Sequence, residues 1–299
     1  MFAATLMMAG CGGDDGDDGS PTPGGGGSNK SEVNLNKNVV KADVPPEVTR
    51  LEFPRIREIG NNVVQVYKTE DSYSDGVNYA IEWDIDLKSQ RWSCYQMMAG
   101  YNKGVGRYEG NPPYFDYTYF DLNNPSRYYS TDYISPSIYD HGHICPSADR
   151  LYSVKANKQT FYLTNMQPQY KDFNSGIWKK LEEKIRKAWT PSNTTDVLYV
   201  CKGGTIDDKT NRIENINKRL IVPKYFFTAL LLKNSRGYRA IGFWMEHIAY
   251  NRSEDNLKDY AISIDQLEQR TGIDFFCNLP DDIEAEVEAS YSPKAWGLN

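Results

Sequence analysis

Residues 139–150 read YDHGHICPSADR, and residues 161–186 read FYLTNMQPQYKDFNSGIWKKLEEKIR. Two of the chain's three histidines, His141 and His143, sit in the first segment with one glycine between them. The second segment runs into a helix pattern. Ile177, Trp178, Leu181, Ile185, Ala188 and Trp189 recur at helical spacing on one face, and Pro191 stops the run. The order is strand, D-x-G-H loop, strand, N-x-x-P-Q, F-N-S-G-x-W, helix, which predicts a hairpin followed by a helix. Histidines two apart on a strand point to one side, but zinc wants three or four protein ligands. The remaining histidine, His247, lies far downstream, so a zinc site is not expected.

Outward from this unit the pattern favours strands. NVVQVYK (62–68), NYAIEWDIDL (78–87) and RWSCYQMMAGY (91–101) precede it; TDVLYVCKGGTI (195–206), LIVPKYFFTALLL (220–232) and YRAIGFWMEH (238–247) follow. SIDQLEQRTG (263–272) opens with a Ser263–Gln266 capping box, and LPDDIEAEVEAS (279–290) places acids in a first helical turn. Residues 102–139 are rich in Gly, Pro, Asn and Tyr, an irregular stretch of the kind that carries function. The expectation is one α+β domain over 61–297 with a central, mostly antiparallel sheet, preceded by a flexible tether and extended lead-in over 12–60.

With 299 residues the chain can bury a sizeable core, and its mean hydropathy of −0.65 leaves no stretch of the ~18 consecutive apolar residues a membrane-spanning helix requires. The net charge is −6, and half of it belongs to the first 31 residues, where four aspartates face Lys30 alone. A binder that relies on charge for nucleic acid should be basic, so any phosphate backbone must be met by a local cluster. MFAATLMMAGC (1–11) is a short apolar run ending in Ala-Gly-Cys. It resembles a bacterial lipoprotein signal, which implies lipidation of Cys11, export, and an outer-membrane or cell-surface location or secretion. The Gly/Asp/Ser/Pro-rich stretch after it cannot bury a core. Cys94, Cys145, Cys201 and Cys277 remain; two disulfides or buried free thiols are both open.

The hairpin and helix place His143, Asn174 and Glu182 on one compact unit, and each residue type suits phosphodiester hydrolysis. Histidine takes a proton from water near neutral pH. Asparagine offers a neutral carbonyl oxygen to a hydrated Mg²⁺, and a glutamate farther along the helix can accept from metal-bound water. Arg186 follows Glu182 at i+4, able to pair with it or with a phosphate. These segments resemble the signature of the DNA/RNA non-specific endonuclease family, the ββα-metal nucleases that include endonuclease G and secreted bacterial nucleases: D-R-G-H, then T/S-N-x-x-P-Q, then N-x-G-x-W-x-x-L-E. The likeness extends over roughly residues 78–297. It implies a ββα-metal (His-Me finger) catalytic unit in which His143 is the general base and Asn174 the direct Mg²⁺ ligand. Glu182 would bond metal-bound water, Arg186 would lie near the scissile phosphate, and Asn165 would support the site. Arg107 is a candidate second phosphate contact. His141 stands where the family has arginine, which would remain cationic and bidentate toward phosphate.

The implied activity is endonucleolytic cleavage of DNA and RNA to 5′-phosphate products with Mg²⁺, for which Mn²⁺ could substitute. Two other readings compete. One is a nuclease fold turned to nucleic-acid binding or envelope interaction, weakened at His141. The other is a phosphodiesterase for a small phosphoester. Plasmid cleavage separates all three.

Overall fold

The computed structural model describes residues 33–70, 73–109, 138–216 and 220–299. Cys11, the acidic glycine-rich tether and most of the irregular 102–139 stretch lie outside the described residues.

Seven strands form one antiparallel sheet in the order β1-β2-β3-β6-β9-β10-β11. They are β1 (Asn62–Lys68), β2 (Val77–Asp84), β3 (Ser89–Met97), β6 (Val197–Gly204), β9 (Tyr225–Asn234), β10 (Gly237–Glu246) and β11 (Ala261–Ile262). Two hairpins stand apart from it: β4 (Tyr139–His143) with β5 (Met166–Tyr170), and β7 (Arg212–Ile216) with β8 (Leu220–Pro223). The α+β class with a large antiparallel sheet is as expected. The long run over 220–232 proves to be two strands, broken after Pro223, which has no N–H for a ladder.

Both faces of the sheet are covered, which explains why its strands read as near-continuous apolar runs. Period two sorts their side chains. Leu198 and Val200 of β6 face one core with Tyr79, Ile81, Phe226 and Leu230, while Tyr199 and Cys201 face the other with Ala80, Phe227, Ala229 and Leu231. The first core is closed by a long helix, α2, which runs through Lys171–Phe173, a π-turn at Asn174–Trp178, Lys179–Lys184 and a second π-turn at Ile185–Trp189. Ile177, Trp178, Leu181, Ile185 and Trp189 form its buried face as the spacing predicts. Ala188 does not: it is exposed, because the second π-turn shifts the helical phase at that end while Trp189 stays in place against Trp296 and Phe243. A short helix α1 (Val154–Gln159) lies in the connection between β4 and β5.

The second core is closed by α3 (Ile264–Thr271), α4 (Asp281–Glu288) and the lead-in. The Ser263–Gln266 capping box is present. The lead-in over residues 33–60, which includes a short 3-10 helix at Pro46–Thr49, packs onto the sheet: Val48, Phe53 and Ile56 are buried beside Trp92 and Leu279. The buried Asn38 amide bonds the Val48 and Pro54 carbonyls, each at 2.9 Å. The lead-in is therefore part of the packed body, ahead of the domain over 61–297. All four cysteines described are buried free thiols, Cys94 and Cys201 facing each other across β3 and β6.

Candidate active site

The D-x-G-H segment is itself a strand, β4, and the apolar run after it is a tight turn at Leu163–Asn165 before β5 begins. Gly142 is required here. A Cβ on it would lie 2.3 Å from Cδ of Gln169, which packs across the hairpin. This close approach seats β4 on β5 and turns His141 and His143 to the other side, into a pocket of about 560 Å³. Arg107, Asp140, His141, His143, Asn174, Glu182 and Arg186 all line it.

His143 is partly exposed, and its ring meets Phe161 edge-on at 5.0 Å; the Arg107 guanidinium lies 5.2 Å from the same phenyl ring. Nε2 of His143 is buried and has no hydrogen-bond partner. Burial, then the charges of Arg107 and His141, hold the imidazole down at about 3. The ring is thus neutral at physiological pH, with a nitrogen free to take a proton.

Asn174 sits in the first π-turn of α2, and its Nδ2 donates to Oδ2 of Asp140 at 3.0 Å. That bond commits the amide nitrogen and leaves the carbonyl oxygen as the atom the side chain can offer. Glu182 is 15 % exposed and accepts from Nζ of the fully buried Lys202 at 2.8 Å. Burial pushes the Glu182 carboxyl up, and Lys202 opposes it. Arg186 is paired with the buried Asp149 and not with Glu182 as the i+4 spacing allowed. Asn165 lies behind the pocket. It is fully buried and absent from the pocket wall, and its amide is consumed by backbone: Oδ1 accepts from Cys145 N–H, and Nδ2 donates to the Cys145 and Thr160 carbonyls. It pins the β4–β5 connection that carries the site and does not itself line the pocket. His247 likewise takes a structural place, its Nε2 accepting from Tyr170 N–H and its Nδ1 donating to the Pro223 carbonyl.

Asp140, Asp149 and Lys202 were not singled out from sequence. Lys202 had a readable signal: in VLYVCKGG it shares a face with Leu198 and Val200, and a charge on a core face demands a partner.

The pocket combines an amide carbonyl fixed in orientation, two carboxylates and an unpartnered histidine nitrogen. Such hard oxygen donors fit a hydrated divalent cation. Comparison with known proteins agrees on the class. The DNA/RNA non-specific endonuclease family model matches residues 61–282, and the chain belongs to that family, whose class reaction is hydrolysis of nucleic-acid phosphodiesters. Among relatives, a nuclease of Nostoc sp. is 28% identical over 233 residues, covering 74% of this chain and 79% of that protein. Mitochondrial endonuclease G of Bos taurus is 28% identical over 149 residues, 47% of this chain and 49% of that protein. The Serratia marcescens nuclease is 25% identical over 150 residues, so the chain spans about half the length of those two relatives. The crystal structure of an EndoG/EndoGI complex shares the fold, with a TM-score of 0.60 at 19% identity, covering 79% of this chain and 93% of that one.

Proposed function

We propose that the chain is an exported, Mg²⁺-dependent endonuclease that cleaves DNA and RNA with little sequence preference and leaves 5′-phosphate ends, Mn²⁺ serving as a substitute ion. One observation carries this: His143, whose Nε2 is unpartnered, lines the same pocket as Asn174, whose amide nitrogen is held by Asp140 and whose carbonyl oxygen remains to give. Asn174 would hold the ion, with Glu182 accepting from its waters. When bound, the ion supplies charge neutralisation at the phosphate and the departing 3′ oxygen.

The chain's own residues do the rest. His143 Nε2 accepts a proton from the attacking water, and Asp140 keeps Asn174 from rotating. Arg186, steadied by Asp149, and Arg107 present positive charge to the phosphate, with His141 beside them. An overall acidic protein gains in this pocket the local cationic cluster that a phosphate backbone requires. Export through lipidated Cys11 would place the activity at the cell surface, against extracellular nucleic acid.

A plasmid-nicking assay with Mg²⁺ and EDTA arms tests the reading. Cutting should need the ion, and His143→Ala should lower the rate at least a hundredfold, in keeping with the usual contribution of a general base. Equal cutting by the variant would sink the assignment. DNA binding without strand breaks under any ion would favour a binding module instead.

A further inference from the structure

On the face of the sheet opposite the nuclease pocket, α3 and α4 bring three carboxylates together. Asp265 and Glu268 stand three residues apart and so share one face of α3, while Glu288 is the last residue of α4. The oxygens of the three lie within 4.8 Å of one another. Acidic surface groups often cluster without consequence, but Glu288 is not a surface group. It is 5 % exposed, and its buried Oε1 has no hydrogen-bond partner. The charged groups acting most strongly on it are all acidic: Glu268, Glu284, Asp274 and Asp265. An anion in the last turn also opposes the helix dipole. Glu268 accepts from the Phe275 N–H at 2.7 Å. Burial and these neighbours push Glu288 up to about 10 and Glu268 up to about 8. A buried carboxylate needs a partner, and among the described residues Glu288 Oε1 has none.

We propose that Asp265, Glu268 and Glu288 bind a single Ca²⁺-class cation that ties α3 to α4. The donors are all carboxylate oxygens, the set a hard cation prefers over the imidazole and thiolate that select softer metals. Ca²⁺ binds at about 2.3–2.6 Å, so oxygens on opposite sides of it are roughly 5 Å apart, in line with the spread here. Mg²⁺ needs a tighter octahedron and gives up water reluctantly. Asp265 is the most open of the three, which leaves room for waters to complete the shell, while Glu288 anchors the inner side. The ion would neutralise the buried charge and brace the helices covering the second core.

The test uses the full chain carrying Asn174→Ala, so that the nuclease pocket does not contribute, stripped with EDTA and dialysed. Calorimetric titration with Ca²⁺ should show one site. At a hundredfold excess over Kd the melting temperature should rise by about 5–10 °C. Mg²⁺ should bind more weakly. Glu288→Gln should raise Kd for Ca²⁺ at least tenfold; should that variant fail to fold, Asp265→Asn, at the most open of the three positions, must still weaken binding. No heat and no thermal shift up to about 10 mM Ca²⁺, about tenfold beyond the weak end for Ca²⁺ modules, would overturn the site and leave a shared proton as the means of neutralisation. An unchanged Ca²⁺ response in Glu288→Gln and in Asp265→Asn would overturn it equally.

Discussion

Lys202→Met probes the interior support of the active site. Nζ of Lys202 is 2.8 Å from Oε1 of Glu182 and 4.4 Å from the Trp178 ring centre, with the lysine wholly buried. Coulomb's law at that separation, with an effective dielectric constant of about 20, gives roughly 6 kcal/mol of attraction. Desolvation of both groups consumes part of it, and breaking one side of a buried pair costs about 3–5 kcal/mol. Methionine keeps the length and the apolar contact with Trp178 but leaves Glu182 unpaired and facing Asp149, which already pushes its carboxyl up. Urea unfolding at pH 8 should therefore show a loss of about 3–5 kcal/mol. An acid whose folded pKa is raised binds more protons folded than unfolded, so its penalty grows as pH rises above the ordinary glutamate value and is absent below it. The deficit of Lys202→Met should shrink accordingly as pH is lowered toward 4. In nicking assays the acid limb of activity should move to higher pH, since Glu182 must ionise without help. Lys202→Met with Glu182→Gln removes the stranded charge and should recover at least half of the lost stability. A deficit under about 1 kcal/mol that does not vary with pH, or a double variant worse than the sum of its parts, would refute the reasoning.

Asn165→Ala should act through stability: three buried backbone partners lose their bonds, for about 2–4 kcal/mol in urea unfolding. The rate per folded molecule should fall less than tenfold, and a loss as deep as that of His143→Ala would return Asn165 to the chemistry. His141→Arg should extend nicking activity upward in pH, because arginine stays cationic where histidine does not; an identical pH–rate profile would reject its role as the arginine's stand-in. His247→Gln should destabilise most above pH 6.5. Burial holds His247 down at about 4, so its contribution is complete above the ordinary histidine value and lost as pH falls toward 4, about 3 kcal/mol across that window. A stability difference from wild type that is flat between pH 7 and 4 would contradict this.

What could be read from sequence follows from which forces are local. The faces of α2 and β6 were legible because burial imposes a period, 3.6 or 2, on residues close in sequence. Ala188 escaped because a π-turn interrupts that period without leaving a mark in the residue types. The pocket was legible through spacing: β4, the turn and α2 carry His143, Asn174 and Glu182 on one continuous unit. Asn165 lies inside the same motif and serves the backbone of the hairpin, a form of support that spacing does not specify. The ion pairs were not legible, since Glu182 and Arg186 look like partners at i+4, yet Lys202 and Asp149 reach them from β6 and from the turn after β4. Helical spacing allows a pair in solvent at a gain of a few tenths of a kcal/mol. A buried site offers several times more to whichever opposite charge the fold brings closest. A charge on the core face of a strand, as at Lys202, is thus a readable demand for a partner, while the partner's identity is decided only when strands and helices meet.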